Sequence, residues 1–158
     1  MLPIIKLPAK SLRQRSKEID RDFLLSKQTQ IFIKNLIEIM YASDGIGIAA
    51  PQVGKNIRIC IIGKQTLPDK AKDLVLVNPI WKKRSFRKTE EIEGCLSVPK
   101  KYGKVKRWKK IKVTALGENG SPLSFTASDF FARVVQHEID HLDGVLFIDK
   151  AKDIYTTE

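Results

Sequence analysis

His137-Glu138-Ile139-Asp140-His141 is the stretch on which the reading of this chain turns. An α-helix advances ~3.6 residues per turn, so side chains four apart lie one above the other on the same face. His137 and His141 can therefore present two imidazole nitrogens to one metal ion. Glu138, next to the first ligand, can reach a water on that ion without being a ligand itself. This is the H-E-x-x-H pattern of metal-dependent hydrolases. One and two turns earlier, Val134 and Phe130 continue the same stripe, at spacings of three and four. The ion would thus sit beside an apolar patch. Two solvated histidines around a chance glutamate are the plain alternative. These are the only histidines in the chain, and their spacing speaks against it.

A tetrahedral catalytic site takes three protein ligands and leaves one position open. No third histidine exists. A downstream glutamate would have to be the terminal Glu158, where chains fray. That leaves the two cysteines. Cys60 lies in the apolar run 57–62 and reads as core, since a free cysteine packs as a small hydrophobe. Cys95, in Glu93-Gly94-Cys95-Leu96-Ser97, has a glycine beside it that leaves room around the sulfur. It is the better ligand.

The totals fit a soluble enzyme. With 158 residues, 42% hydrophobic and 30% charged, the chain is expected to form one domain over 1–158 with a real core. No apolar run approaches the ~20 residues of a membrane span. Met1 to Lys6 lacks the pattern of a signal peptide, and two cysteines make no disulfide framework. A cytoplasmic setting follows, or an organelle with its own ribosomes. The net charge of +11 is gathered at Lys82, Lys83, Arg84, Arg87 and Lys88 and again from Lys100 to Lys112. Such runs bind RNA or acidic surfaces, or are solvated strand faces.

Along the chain, Pro3 and Pro8 keep residues 1–25 mostly irregular. Ile33, Leu36, Ile37 and Met40 predict an amphipathic helix over about 26–41, with Ser26 as N-cap and Gly45 just beyond its end. Gly45 to Gly54 is too rich in Gly and Pro for regular structure, and its small residues let a ligand approach the backbone. Residues 57–62 and 74–77 read as buried strands, the second closed by Asn78-Pro79. Trp81 to Lys88 reads as a solvent-facing strand. Lys110 to Leu116 alternates, and Asn119-Gly120 turns it into a return strand over 123–125. Thr126 with Asp129 resembles a helix start, and that helix runs to about Leu142 with Gly144 as its stop. The fold class is α+β: antiparallel sheets packed around a central metal-binding helix.

Gly45-Ile46-Gly47-Ile48-Ala49-Ala50-Pro51-Gln52, Glu93-Gly94-Cys95-Leu96-Ser97 and Gln136-His137-Glu138-Ile139-Asp140-His141-Leu142-Asp143-Gly144 together resemble the three signature motifs of peptide deformylase, in the family's order. The likeness extends to Asn78-Pro79 and to Gly144-Val145-Leu146-Phe147. It implies a hydrolase that removes the formyl group from the N-terminal formylmethionine of new polypeptides, releasing formate. It also implies Cys95, His137 and His141 as ligands of one divalent ion per chain. Iron(II) is the ion the family favours, and zinc, nickel or cobalt suit the same donors. A water on that ion attacks the formyl carbonyl, with Glu138 taking its proton and passing it to the departing amine. The Gln52 amide and the Leu96 N–H are the implied oxyanion donors. Ile46 and Gly47 match residues that pair with the substrate main chain as an added strand would. Phe130 and Val134 would line the methionine pocket. Glu93 and Arg107 match positions that pair with each other and hold the Cys95 loop. Asp140 would orient a histidine or cap local structure, and Trp81 and Trp108 would simply pack.

Many bacterial deformylases continue into a long C-terminal helix that docks on the ribosome. Only 17 residues follow His141 here, so that helix is expected to be lacking. The two basic clusters are then expected to carry part of the ribosome contact. Neither a membrane nor DNA is an expected partner. Two rival readings make different demands. A peptidase of internal bonds needs a His or Glu third ligand, and a structural metal in an RNA-binding module needs a fourth protein ligand.

Overall fold

Strand β2 (Ile59–Ile62) is buried at all four positions, and its neighbours explain why. Ile59 and Ile61 pack with helix α2 (Lys27–Ala42), while Cys60 and Ile62 pack with helix α3 (Asp129–Leu142). Successive strand residues point to opposite faces. A strand covered by a helix on each side must therefore be apolar throughout. Strand β3 (Leu74–Lys83) divides the same way, Val75 and Val77 toward α2 and Leu76 toward α3. The computed structural model describes residues 1–158. Its five-stranded antiparallel sheet runs β1 (Gly47–Ala49), β2, β3, β6 (Lys110–Leu116), β7 (Pro122–Ser128). A second antiparallel sheet runs β4 (Lys88–Cys95), β5 (Val98–Trp108), β8 (Lys152–Thr156). Helix α3 lies between the two sheets, touching β1, β2 and β7 on one side and β5 on the other. The chain is α+β, with helix α3 at the centre.

Helix α2 begins where the sequence places it, with the Ser26 hydroxyl accepting the Thr29 N–H at 3.3 Å. Gly144 ends α3 at φ +74, and a Cβ there would run into the Arg13 carbonyl. Other boundaries differ from expectation. Arg21–Leu25 is a short helix, α1, capped by Asp20. The Gly/Pro-rich stretch contains β1 and a 3-10 turn, Ala50–Val53. Strand β3 does not stop at Asn78-Pro79. It bulges there, with a register shift between Val77 and Ile80 that spares Pro79 a ladder bond. The Asn78 side chain bonds both backbone groups of Ile19. Trp81 to Lys88 is not one strand: β3 ends at Lys83, a corner turns, and β4 begins at Lys88. Thr126 belongs to β7, and α3 starts at Asp129 without a side-chain cap. The spacing does not predict β4 beyond Lys88, nor β5 or β8. No helix is long and apolar enough to cross a membrane.

Candidate metal centre

Helix α3 presents His137, Glu138 and His141 toward the turn that joins β4 to β5. Cys95 ends β4 at an irregularity: Gly94 pairs with Tyr102, but Cys95 pairs with Val98. That slip, with the Leu96-Ser97 turn, brings the sulfur to the helix. Gly94 is needed because the Tyr102 ring crosses it, and a Cβ there would lie 2.6 Å from the ring. Cys95 Sγ lies 3.3 Å from His141 Nε2, and the donor atoms of Cys95, His137 and His141 all fall within 4.8 Å of one another. A tetrahedral ion at ordinary metal–nitrogen and metal–sulfur distances spaces its ligand atoms by roughly 3.5 Å. One thiolate and two imidazoles so placed fit such an ion. Cys60 lies in the core with burial pushing its thiol well up, and takes no part.

Glu93 accepts a hydrogen bond from His137 Nδ1 at 2.8 Å, which turns Nε2 toward the cluster. Two arginines hold Glu93 in turn. Arg107 grips it with Nε and Nη2 at 2.7 and 2.9 Å, and Arg133 reaches it at 2.6 Å. Arg107 also donates to Asp140 at 2.7 Å, and Asp140 takes Lys150 as well. The Asp140 side chain therefore neither touches a histidine nor caps the helix; it acts through Arg107. Arg133 is a member of this network that the sequence reading missed. It is buried on α3 one turn before His137, and it also bonds the Val105 and Thr89 carbonyls. A charged residue one turn from His137 on the inward stripe was the available signal.

Burial opposes ionisation of Glu93, but Arg107 and His137 outweigh it and hold the carboxyl well below its ordinary range. Among protein groups alone, the Cys95 thiol is also well below its usual value: burial is overcome by the two imidazoles. His137 is carried to about 10, against burial, by Cys95 and Glu93. Glu138 goes the other way. It is only 4% exposed, and burial raises its pKa although both histidines pull it down. One of its oxygens, Oε1, has no hydrogen-bond partner. The other lies so close to Gly47 that a Cβ there would approach it to 2.6 Å.

A cleft of about 790 Å³ opens over this cluster. Its walls include ten of the twelve residues singled out from the sequence; His141 and Arg107 stand behind them. Gln52 is fixed by Ala49, whose N–H donates to its Oε1 at 2.9 Å, and its Nε2 lies 3.2 Å from Ser97 Oγ and 3.7 Å from Cys95 Sγ. The Leu96 N–H donates to no acceptor in the protein. Strand β1 is a sheet edge. Gly63 N–H donates to the Ile46 carbonyl at 2.8 Å, and Gly47 stands opposite Ile62. Ladder bonds alternate in antiparallel pairs, so the Gly47 N–H and C=O face the open edge, toward the cleft. The Ile46 N–H also has no acceptor within the protein. Val134 is buried in the cleft wall, and Phe130 is half exposed at the same wall.

Comparisons with known proteins converge with this geometry. The family model described as polypeptide deformylase matches residues 1–156. Peptide deformylase 2 of Gloeobacter violaceus is 40% identical over 152 residues, covering 96% of this chain and 80% of that protein. Peptide deformylase 1B, chloroplastic/mitochondrial, of Arabidopsis thaliana is 38% identical over 96% of this chain and 55% of its own length. The crystal structure of a peptide deformylase from Synechococcus elongatus in complex with actinonin superposes with a TM-score of 0.86 at 37% identity, over 96% of this chain and 79% of that one.

Proposed function

Since the chain belongs to the peptide deformylase family and so removes the formyl group of N-terminal formylmethionine as formate, we propose how its residues divide that reaction. Cys95, His137 and His141 would hold one divalent cation, iron(II) by family likeness, with zinc, nickel or cobalt suited to the same donors. When bound, the cation supplies a Lewis acid that lowers the pKa of a water and polarises the formyl carbonyl. Glu138 takes the proton of the attacking water and returns it to the amine nitrogen as the amide bond breaks. Its raised pKa and water-poor setting suit both directions of transfer. The Gln52 amide and the Leu96 N–H donate to the oxygen on which negative charge develops.

The substrate backbone lies along the open edge of β1, pairing with the main chain of Ile46 and Gly47. Phe130 and Val134 receive the methionine side chain. Glu93, fixed by Arg107, holds His137 in the tautomer that leaves Nε2 free for the cation. Residues 1–158 act as one catalytic domain. Its setting is wherever formylated chains are made, cytoplasm or an organelle with its own ribosomes. Part of the contact with the ribosome runs through the clusters Lys82–Lys88 and Lys100–Lys112.

The observation that carries this reading is the convergence of Cys95, His137 and His141 with the buried Glu138 beside them at the cleft. Formate release from a formyl-Met peptide, with metal analysis of the same anaerobically purified sample, tests it. Glu138→Gln should keep its metal and lose at least ~100-fold in kcat. Loss of metal together with turnover would make Glu138 a structural residue and overturn the assignment.

A further inference from the structure

Positive charge is unevenly distributed along the chain. Residues 82–112 hold thirteen lysines and arginines against three glutamates, which is +10 of the net +11. Glu93 and Arg107, one of each sign, are buried against one another and cancel, so the excess left at the surface is the same +10. The segment winds from the tail of β3 round the corner 84–87, through β4 and β5, into β6.

Trp108 sits at that corner, as the last residue of β5. Lys83 and Lys88 each place Nζ 4.6 Å from the centre of its ring. Neither ammonium pairs with a carboxylate, and nor does Lys106 beside them. A cavity of about 340 Å³ adjoins the ring, with Trp81, Lys106 and Gln136 in its wall. Gln136 of α3 pins Trp108 in place, accepting its N–H at 3.1 Å and donating to its carbonyl at 2.9 Å. Just beyond, Lys82 and Lys112 stand directly opposite one another across β3 and β6, a like-charge pairing that weakens a sheet. None of these lysines lines the catalytic cleft. Unneutralised cations gathered round a fixed aromatic ring match a phosphate backbone with a stackable base beside it.

We propose that this corner binds single-stranded RNA, with Lys83, Lys88 and Lys106 on the phosphates and a base entering the cavity against Trp81 and Trp108. An exposed ammonium–indole contact is weak enough to exchange for an ammonium–phosphate one. The inference deepens the ribosome contact proposed above by naming its surface and its chemistry. Its test needs neither ribosomes nor turnover, so failure here is separable from failure of that reading.

Trp81 and Trp108 are the only tryptophans in the chain, and both line this cavity. Indole fluorescence of the intact, metal-loaded enzyme therefore reports on this site alone. A short oligouridylate should quench it, with an affinity that falls steeply as salt rises. The double variant K83E/K88E should bind at least ~10-fold more weakly. Its salt slope should be shallower by about 1.4, because each phosphate contact to a single strand contributes about 0.7. Turnover of a formyl-Met peptide should not change. Equal binding by variant and wild type would overturn the proposal. So would inorganic polyphosphate binding as tightly as the oligonucleotide while that oligonucleotide leaves the indole fluorescence unchanged.

Discussion

Gly47→Ala isolates the role of one missing Cβ. The backbone at Gly47 is ordinary strand, paired in β1 and outside the left-handed region, so alanine fits it without strain. The new methyl would meet Glu138 Oε2 at 2.6 Å and its Cγ and Cδ at 3.0 Å. Ordinary contact begins at 3.4 Å, so the carboxylate must retreat by about 0.8 Å, and a displacement near 1 Å at a reacting group costs on the order of 100-fold in rate. The Gly47 N–H and C=O keep their direction, so substrate pairing at the strand edge survives. The expected signature is a kcat lower by ~30- to 100-fold, KM within about threefold, full metal content and a melting temperature close to wild type. Steady-state formate release, metal analysis and thermal melting read these four quantities. A raised KM with unchanged kcat would show that the glycine is there for the peptide and not for Glu138. That result would refute the reasoning.

Three other perturbations have definite outcomes. If Gln52 donates to the developing oxyanion as proposed, Gln52→Ala should lower kcat ~100- to 1,000-fold with metal retained; a loss below about threefold would remove Gln52 from that role. Arg107→Ala leaves Glu93 with Arg133 and Asp140 with Lys150 as their remaining cations, so the cost in urea unfolding should stay below the roughly 3–5 kcal/mol of a wholly unpaired buried charge, while metal binding loosens ~10- to 100-fold. Glu93 titrates lower in the folded protein than its ordinary 4.5, so the unfolded chain binds the proton first as pH falls. Its stabilisation is complete above about pH 5 and drains away below it. Melting temperature from about pH 6 to 3 should therefore fall less steeply in Glu93→Gln than in wild type.

The strongest periodic signals in the sequence correspond to real elements. The α3 stripe, α2 with its serine cap and the β6–β7 hairpin all form where spacing and turn residues put them. The candidate site was legible for the same reason: two imidazoles four apart on a helix are a geometric statement, and the structure brings Cys95 to them. What stayed hidden lacked such a signature. Strand β5 buries Val105 but also Gly103 and Arg107 on its inward side, and an arginine that is buried only because two carboxylates await it looks like a surface residue. Arg133 escaped on the same ground. Strand β3 continues past Asn78-Pro79 because a bulge relieves the proline, which local propensity does not reveal. Strand β8 is exposed throughout and exists only through its pairing with β5.

Strand β1 offers very little main chain to a guest. It is three residues long, the Ala49 N–H is already taken by Gln52, and Pro51 follows at once. Under the proposed pairing, main-chain bonds at this edge would grip a polypeptide over little more than its first residue. Hydrogen bonds of that reach ask nothing of the side chains that follow, so any preference among newborn proteins would have to come from the cleft wall beyond β1.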